Sequence, residues 1–528
     1  MPESINAIRE DEQFGPWGVR MAGLILGPLL AIAVHALLPA ADLDDAGRVV
    51  SGLTWEGRAV AAIGAWMMTW WLTEAIPLPA TALLPIAVFP VLGVSTIKAA
   101  AAPYADDVIY LFMGGMLLGC AMEKWGLHRR IALRVVRVVG TSPVRLVGGF
   151  MIACALVSMW VSNTATAVMM LPVAISVLAM ARQGLEGEPG RPPADAAHRR
   201  RADQFSAALL LAIAYGCTIG GLGTLIGTPP NIVLANFVSR TYGQEVSFLR
   251  WMILAIPLVI VFLPIAWLVL TRVAFRVTSE EIPGVREEVE RNFRSLGPMS
   301  RGERTVLIIF LATAAAWVLR EPLGGMVGII RRLPDGSKVE LLTDPGIAII
   351  AAIVLFVVPV NLRGREFALD WPRAARIPWG ILIMFGGGLS LTSAVTRHGV
   401  DLYIGSLLAG LGGMPSFAVV VIFIGAVVFA TEFVGNTALA VAMMPIAHAA
   451  AEPLGVHPFL LVFPCAMAAS YAFMMPMGTP PNAIVFSPGH LRVVHMARAG
   501  LPLNIAAIAL ISVVGYWILP LVFDCSIR

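Results

Sequence analysis

Five residues, Gly-Thr-Pro-Pro-Asn, stand at 227–231 and return at 478–482. A second signature precedes each copy: Ser162-Asn163-Thr164-Ala165 before the first and Gly435-Asn436-Thr437-Ala438 before the second. Further upstream, Gly114-Gly115 is matched by Gly386-Gly387. The separations are 251 for the pentapeptides, 273 for the asparagines and 272 for the glycine pairs, so the register holds over half the chain with one loop of altered length. The chain is an internal duplication. Proline removes a backbone donor and clashes with the preceding turn, and glycine weakens a helix. Where such breakers recur at matching places in two apolar halves, they mark unwound backbone lining a cavity at membrane depth.

The halves are apolar enough for that argument to hold. Hydrophobic residues make up 58% of the chain and charged residues 13%, about half the charge of a soluble domain. Several charge-free runs reach the roughly 20 residues that cross a bilayer. Five cysteines show no C-x-x-C spacing, and four lie in apolar runs, where thiols are ordinarily small buried hydrophobes. The segment 21–39 follows some twenty polar residues and is long for a cleavable signal, so it is expected as a first span. The basic residues sit in loops, and no nucleic-acid partner is expected.

Spans are expected at 21–39, 58–73, 76–94, 107–122, 205–238, 250–271, 304–319, 345–361, 377–395, 458–487 and 499–522, with 205–238 and 458–487 interrupted at the pentapeptides. The stretch 146–181 has no charged side chain, yet both its flanks are rich in arginine. Basic flanks face the cytoplasm, so this segment starts and ends on one side and is expected as a re-entrant hairpin. The stretch 415–450, centred on Asn436, is expected to re-enter from the opposite side. The result is an all-α membrane protein of about eleven spans and two opposed hairpins in an inverted repeat, with the amino terminus cytoplasmic and the carboxyl terminus external. Residues 128–138 pattern as an amphipathic helix in the interface.

These features resemble one family, the divalent anion:sodium symporters, a group of sodium-coupled dicarboxylate, citrate and sulfate carriers. The resemblance runs from about residue 55 to the end. It rests on the two asparagine tips, both pentapeptides and Thr73-Glu74-Ala75-Ile76-Pro77. It implies an ion-transporter-superfamily fold of the elevator type, a homodimer, and a multi-pass protein of the plasma (inner) membrane. The division it implies begins with a tail and first span (1–57) and a scaffold part (58–142). A transport part follows (143–249), then a span with a cytoplasmic loop (250–303). The second half repeats the scaffold (304–413) and transport (414–528) parts.

The same resemblance implies two or more sodium sites. One would use Ser158, Ser162, Asn163 and Gly227; the other would use Thr431, Val434, Asn436 and Gly478, where Val434 and Gly478 offer only carbonyls. Ser158 and Ser162 are four apart, a spacing that places them on one helical face. Substrate contacts would come from Ser162, Asn163 and Thr164 on one tip and Gly435, Asn436 and Thr437 on the other, with Thr228, Thr479 and Pro480 as secondary candidates. The stretches 146–181, 204–239 and 453–491 contain no Lys or Arg. A bound dianion there would be balanced by sodium ions and by helix N-termini, which gives a reason for coupling. Gly435 departs from the family pattern, which has a serine at this place.

A C4-dicarboxylate symporter is the leading expectation, with a sulfate or other oxyanion carrier and a sodium-independent exchanger as alternatives. A related oxyanion exporter would not be expected to carry these paired signatures. An intramembrane enzyme is disfavoured, since the chain has no H-E-x-x-H and no paired intramembrane aspartates. Glu74 and Glu432, ionisable residues at or near membrane depth, are functional candidates by position; for Glu432 a structural pairing is the equal alternative. His448 is expected as a hydrogen-bonded core residue. The run Glu287–Arg291 is expected as a solvated loop face, and 184–203 as a flexible loop.

Overall fold

Oxygen-bearing side chains at the helix starts satisfy backbone donors that a helix leaves open. Thr54 accepts from Gly57 N, Asp106 from Val108 N, Ser247 from Arg250 N and Thr343 from Gly346 N. The computed structural model describes residues 17–43, 49–186, 196–280, 282, 284–327, 330–332, 338–408, 415–523 and 525.

The first half opens with α1 (Trp17–Leu37) and α2 (Trp55–Thr73), which pack on each other, Trp70 Nε1 donating to Gly23 O at 3.1 Å. The third expected span is two pieces, α3 (Leu78–Thr81) and α4 (Leu84–Val91), because Pro79 and Pro85 restart the helix. A short α5 (Ile97–Ala101) leads to α6 (Asp107–Trp125), and α7 (Leu127–Val139) is the expected amphipathic helix. The first hairpin is α8 (Pro143–Ser158) and α9 (Asn163–Glu186). The broken span is α10 (Ala196–Gly221) and α11 (Pro229–Tyr242), followed by α12 (Phe248–Leu268).

A loop helix, α13 (Val285–Arg294), separates the halves. The second half runs α14 (Arg301–Val327), α15 (Asp344–Val357), α16 (Trp371–Ala374), α17 (Trp379–Arg397) and α18 (Val400–Leu408). The second hairpin is α19 (Ser416–Ala430) and α20 (Asn436–Ala451). The second broken span is α21 (Phe459–Ala469) and α22 (Pro480–Phe486), and α23 (Val493–Val513) and α24 (Leu519–Phe523) close the chain.

Among the described residues, eight helices are long and apolar enough to cross a membrane. Seven coincide with expected spans, and the eighth is the second limb of the first hairpin. The other four expected spans, 58–73, 76–94, 345–361 and 458–487, are shorter, more polar or interrupted. Three short antiparallel ladders between the spans depart from the all-α expectation: β1 (Asp42–Leu43) with β2 (Val49–Ser51), β3 (Ile330–Arg332) with β4 (Lys338–Glu340), and β5 (Pro359–Asn361), at the end of the expected span 345–361, with β6 (Glu366–Phe367).

Two loop expectations change. The segment 184–203 is helical at both ends, since α9 reaches Glu186 and α10 starts at Ala196; residues 187–195 lie outside the described residues. The acidic run at 287–291 belongs to α13. There Glu288 is 8% exposed and accepts from Asn292 Nδ2, while Glu290 pairs with Arg137 of α7 at 2.9 Å. Helical periodicity brings its apolar positions Val285 and Val289 onto the protein, so only part of that face is solvated.

The core sits around α10, 94% of whose membrane-length stretch is buried, whereas that of α1 is 17% buried. The halves interlock crosswise. The hairpin limb α9 packs on α22, and α20 packs on α11. The paired glycines explain how closely the outer helices cross. A Cβ on Gly114 would lie 2.6 Å from Ala348 O of α15, and one on Gly387 would lie 2.3 Å from Ala82 O. Their neighbours face the hairpin units instead: a Cβ on Gly115 would meet Ile226 at 2.8 Å, and one on Gly388 would meet Val441 of α20 at 2.5 Å.

Candidate functional site

Each hairpin turns at a tip where α8 gives way to α9, or α19 to α20, and each tip faces the break in a span of its own half. At the first tip, the fully buried Ser158 Oγ lies against Asn163 Oδ1 and 3.0 Å from Cys217 O, a carbonyl near the end of α10. At the second, the fully buried Thr431 Oγ1 lies 2.9 Å from Asn436 Oδ1 and 2.8 Å from Ala469 O, the last residue of α21. Asn436 Nδ2 donates to Ser470 O at 3.3 Å, which turns its Oδ1 toward the threonine.

The two clusters share one imbalance. A hydroxyl carries a single proton, yet each of these hydroxyls faces two carbonyl-type oxygens. Three oxygens thus converge with one hydrogen among them, and the leftover lone-pair contact is repulsive. A small hard cation relieves it by accepting all three oxygens, the donor set that sodium or calcium chemistry favours. The stretches that hold the clusters, 146–181, 204–239, 416–451 and 453–491, contain no Lys or Arg, so no side-chain cation in them competes for the place.

The structure sorts the remaining candidates. Ser162 does not share a helical face with Ser158: α8 ends at Ser158, and Ser162 caps α9, its Oγ accepting from Ala165 N at 3.2 Å. The four-residue spacing spans a turn rather than a helix. Thr164, one residue into α9, is exposed at the tip. Gly435 holds the equivalent place before α20, with φ −57° and no atom within 4 Å of where a Cβ would stand. Val434 before it and Thr437 two residues after it are both half-buried. Gly227 and Gly478 are buried in the breaks; a Cβ on Gly227 would lie 2.3 Å from Gly221 O, and one on Gly478 would lie 2.8 Å from Ala472 Cβ. Gly221 must likewise stay bare, because a Cβ there would meet Asn163 Oδ1 at 2.6 Å. Thr228 and Thr479 are buried N-caps of α11 and α22, and Pro480 is exposed at the first turn of α22.

Several residues at the site were not singled out by sequence. The last residue of each pentapeptide is a clamp: Asn231 Nδ2 donates to Gly221 O and Thr224 O, and Asn482 Nδ2 donates to Ala472 O and Met475 O. These acceptors are themselves 251 residues apart, so the repeat extends to the loop's hydrogen bonds. Cys217 and Ala469 act through carbonyls, which every residue has, and only the spacing to the pentapeptides could have found them.

Glu432 takes the structural option. It is 2% exposed, and its carboxylate accepts from Phe473 N, Met474 N and Met475 N at 2.8–3.0 Å and from Asn504 Nδ2 at 2.7 Å. It thereby fastens the second tip to the second break. Its counterpart in the first half is Met159, whose backbone oxygen instead accepts from Thr224 Oγ1. Glu74 caps the end of α2 in a left-handed conformation (φ 47°) and lies away from the tips in sequence and element. His448 is hydrogen-bonded to Tyr242 Oη at 2.8 Å, as expected of a packed histidine. The first broken span is joined to the second break by Tyr215 Oη of α10, which donates to Phe473 O at 2.7 Å.

Four helix N-termini, those of α9, α11, α20 and α22, begin at the tips and breaks. Their open N–H groups and dipoles suit an anion, while the oxygen clusters beside them suit cations. A chain with this arrangement can hold both charges together without a charged side chain touching either.

Comparison with known proteins agrees with this chemistry. The profile of the sodium:sulfate symporter transmembrane region matches residues 26–523. A sodium-dependent dicarboxylate transporter, SdcS, from Staphylococcus saprophyticus is 38% identical over 509 residues, 96% of this chain and 93% of the relative. The protein of the same name from Staphylococcus aureus is 38% identical over 510 residues, with the same coverage. Among solved structures, the YdaH transporter of Alcanivorax borkumensis aligns over 95% of this chain and 97% of its own with a TM-score of 0.53, at 14% identity. MtrF of Neisseria gonorrhoeae aligns over 94% of both chains with a TM-score of 0.55, also at 14% identity. At that identity the likeness is one of fold.

Proposed function

The chain belongs to the sodium:sulfate symporter family, and on that premise we propose that it is a secondary carrier moving a C4-dicarboxylate together with sodium ions. The observation that carries the reading is the duplicated cluster of one hydroxyl facing two carbonyl oxygens, each beside the N-termini of half-helices. Sodium ions are cargo in this scheme. One site is built on Ser158, Asn163 and Cys217 O, the other on Thr431, Asn436 and Ala469 O, with Gly227 and Gly478 shaping the breaks. The anion bridges the tips through Ser162, Asn163 and Thr164 and through Asn436 and Thr437. Its negative charge and the two sodium charges cancel, so an incompletely loaded site leaves buried charge unpaired, and binding is cooperative.

The hairpins and broken spans form the moving unit and the glycine-crossed helices the dimeric scaffold, in an elevator cycle. The arginine-rich loops support a cytoplasmic amino terminus, an external carboxyl terminus and placement in the plasma membrane. The sodium-dependent dicarboxylate transport of the SdcS relatives supports the substrate class. Gly435 favours a second reading, a sulfate carrier, since a tip with one hydroxyl fewer has less to offer a long dicarboxylate.

A thermal-unfolding panel of succinate, malate, fumarate, citrate and sulfate, each in sodium or potassium, tests the proposal, because a ligand of the folded state raises its stability by mass action. Succinate should stabilise the protein in sodium and not in potassium. Asn163→Ala and Asn436→Ala should each lose that response while keeping the ligand-free unfolding temperature near wild type. A response equal in potassium would refute sodium coupling, and a response to sulfate alone would transfer the assignment to the second reading.

A further inference from the structure

A cavity of about 660 Å³ opens between the end of α6, the end of α15 and the segment 365–376. Four cations line it, Lys124, Arg365, Arg373 and Arg376, against two carboxylates, Glu366 and Asp370. The carboxylates do not use up the cations. Lys124 and Asp370 satisfy each other at 2.7 Å, and Arg373 reaches Asp370 only at 3.7 Å. Arg365 and Arg376 make no ion pair among the described residues. Arg365 is also held at φ 51° in the β5–β6 turn, a conformation rarely adopted outside glycine and asparagine.

The surroundings of the cavity are those of a membrane boundary. It sits where the apolar helix α15 ends, beside Val357 and Leu362, which are 65% and 79% exposed. Trp371, 64% exposed, lines the cavity, with its ring 6.3 Å from that of Phe356. An indole at the level where an apolar helix meets a polar loop is the usual marker of the lipid headgroup region. Guanidinium groups beside it match the geometry of phosphate oxygens.

We propose that this cavity is a binding site for the phosphodiester headgroup of an anionic membrane lipid. Arg365 and Arg376 hold the phosphate, Arg373 neutralises it in part, and the acyl chains run along Val357 and Leu362 with Trp371 at the boundary. All the elements that build the site belong to the crossing framework rather than to the hairpins. Lys124 donates to Phe367 O at 2.7 Å and Trp125 Nε1 to Ala368 O at 2.8 Å, which ties α6 to the loop that carries the arginines. The lipid is therefore a fixed companion of the framework and is not carried with the cargo.

The test uses the full-length protein, delipidated in a neutral detergent. Binding of phosphatidylglycerol, cardiolipin and phosphatidylcholine is followed by native mass spectrometry and thermal unfolding, with inorganic phosphate as the soluble counterpart. Wild type should prefer both anionic lipids to phosphatidylcholine. Arg365→Gln/Arg376→Gln should weaken that binding roughly tenfold or more, since each surface arginine contributes on the order of 1 kcal/mol toward an anionic lipid. Arg286→Gln, an exposed arginine of α13 outside the cavity, should leave it unchanged. Both arginines are exposed and unpaired, so the double variant should keep its lipid-free unfolding temperature and its response to sodium and succinate. Equal lipid affinity in wild type and the double variant, or equal affinity for phosphatidylcholine, would overturn the proposal. An arginine-dependent response to inorganic phosphate that matches the lipid response would overturn the lipid assignment.

Discussion

At Gly435 the duplication is imperfect in a way that can be repaired. Its counterpart Ser162 caps α9 with a hydroxyl, whereas Gly435 begins α20 with nothing. Its φ of −57° is accessible to any residue, and open space surrounds its missing Cβ. Gly435→Ser should therefore fold normally, cap α20, and present its hydroxyl proton to the anion. One neutral hydrogen bond contributes roughly 0.5–1.5 kcal/mol, so succinate at fixed sodium should bind about two- to tenfold tighter, as measured by calorimetry. A uniform loss of succinate and sulfate affinity would refute the donor account. The tip residues were legible because Ser, Asn and Thr interrupt apolar runs at matched positions. Cys217 and Ala469 were not, since a carbonyl leaves no mark in the side-chain alphabet. The pairing of Ser158 with Ser162 on one face failed because spacing alone does not reveal where a helix stops. For Glu432, sequence could place a carboxylate beside the second tip but could not show that backbone N–H groups satisfy it.

At the level of elements, breaker positions foretold both interrupted spans, and polar residues at the middle of the runs 146–181 and 415–450 foretold both hairpins; the arginine-rich flanks of the first lead us to expect that the two enter from opposite sides. Loop structure was less legible. The three β-ladders are only two or three residues long, too short for a period to show, and α13 looked like a solvated charge run because its apolar positions are few. The opposed hairpins give a direct expectation in a cysteine-free background. Arg201→Cys, at the start of α10, and Glu452→Cys, just after α20, are both exposed positions. A membrane-impermeant maleimide added to right-side-out vesicles should label position 452 and leave position 201 untouched, with the pattern reversed in inverted vesicles. Labelling of both from one side would abolish the inverted repeat.

For the whole molecule, the glycine crossings separate two kinds of contact. Gly114 and Gly387 abut backbone oxygens within the framework, where an added methyl has nowhere to go. Gly115 and Gly388 abut the side chains of Ile226 and Val441, across the boundary between framework and hairpin units. Gly387→Ala should cost folding stability, in the 1–3 kcal/mol range of an overpacked core, seen as a lower unfolding temperature. Gly388→Ala should leave unfolding and sodium-dependent succinate binding close to wild type yet slow uptake into liposomes severalfold, because in the proposed elevator cycle it roughens the surface on which the units would move. If Gly388→Ala weakened binding as much as uptake, the boundary would not be a sliding one.

The bond from Tyr215 Oη to Phe473 O also dictates an order of manufacture. A ribosome completes α10 some 250 residues before it reaches Phe473. Throughout that interval the first broken span waits in the bilayer with a buried phenol whose acceptor does not yet exist. The nascent first half is thus an unfinished seam. It invites shelter by the insertion machinery or premature docking with another chain, and a polypeptide truncated before the second break should be cleared by quality control rather than accumulate as a stable half-protein.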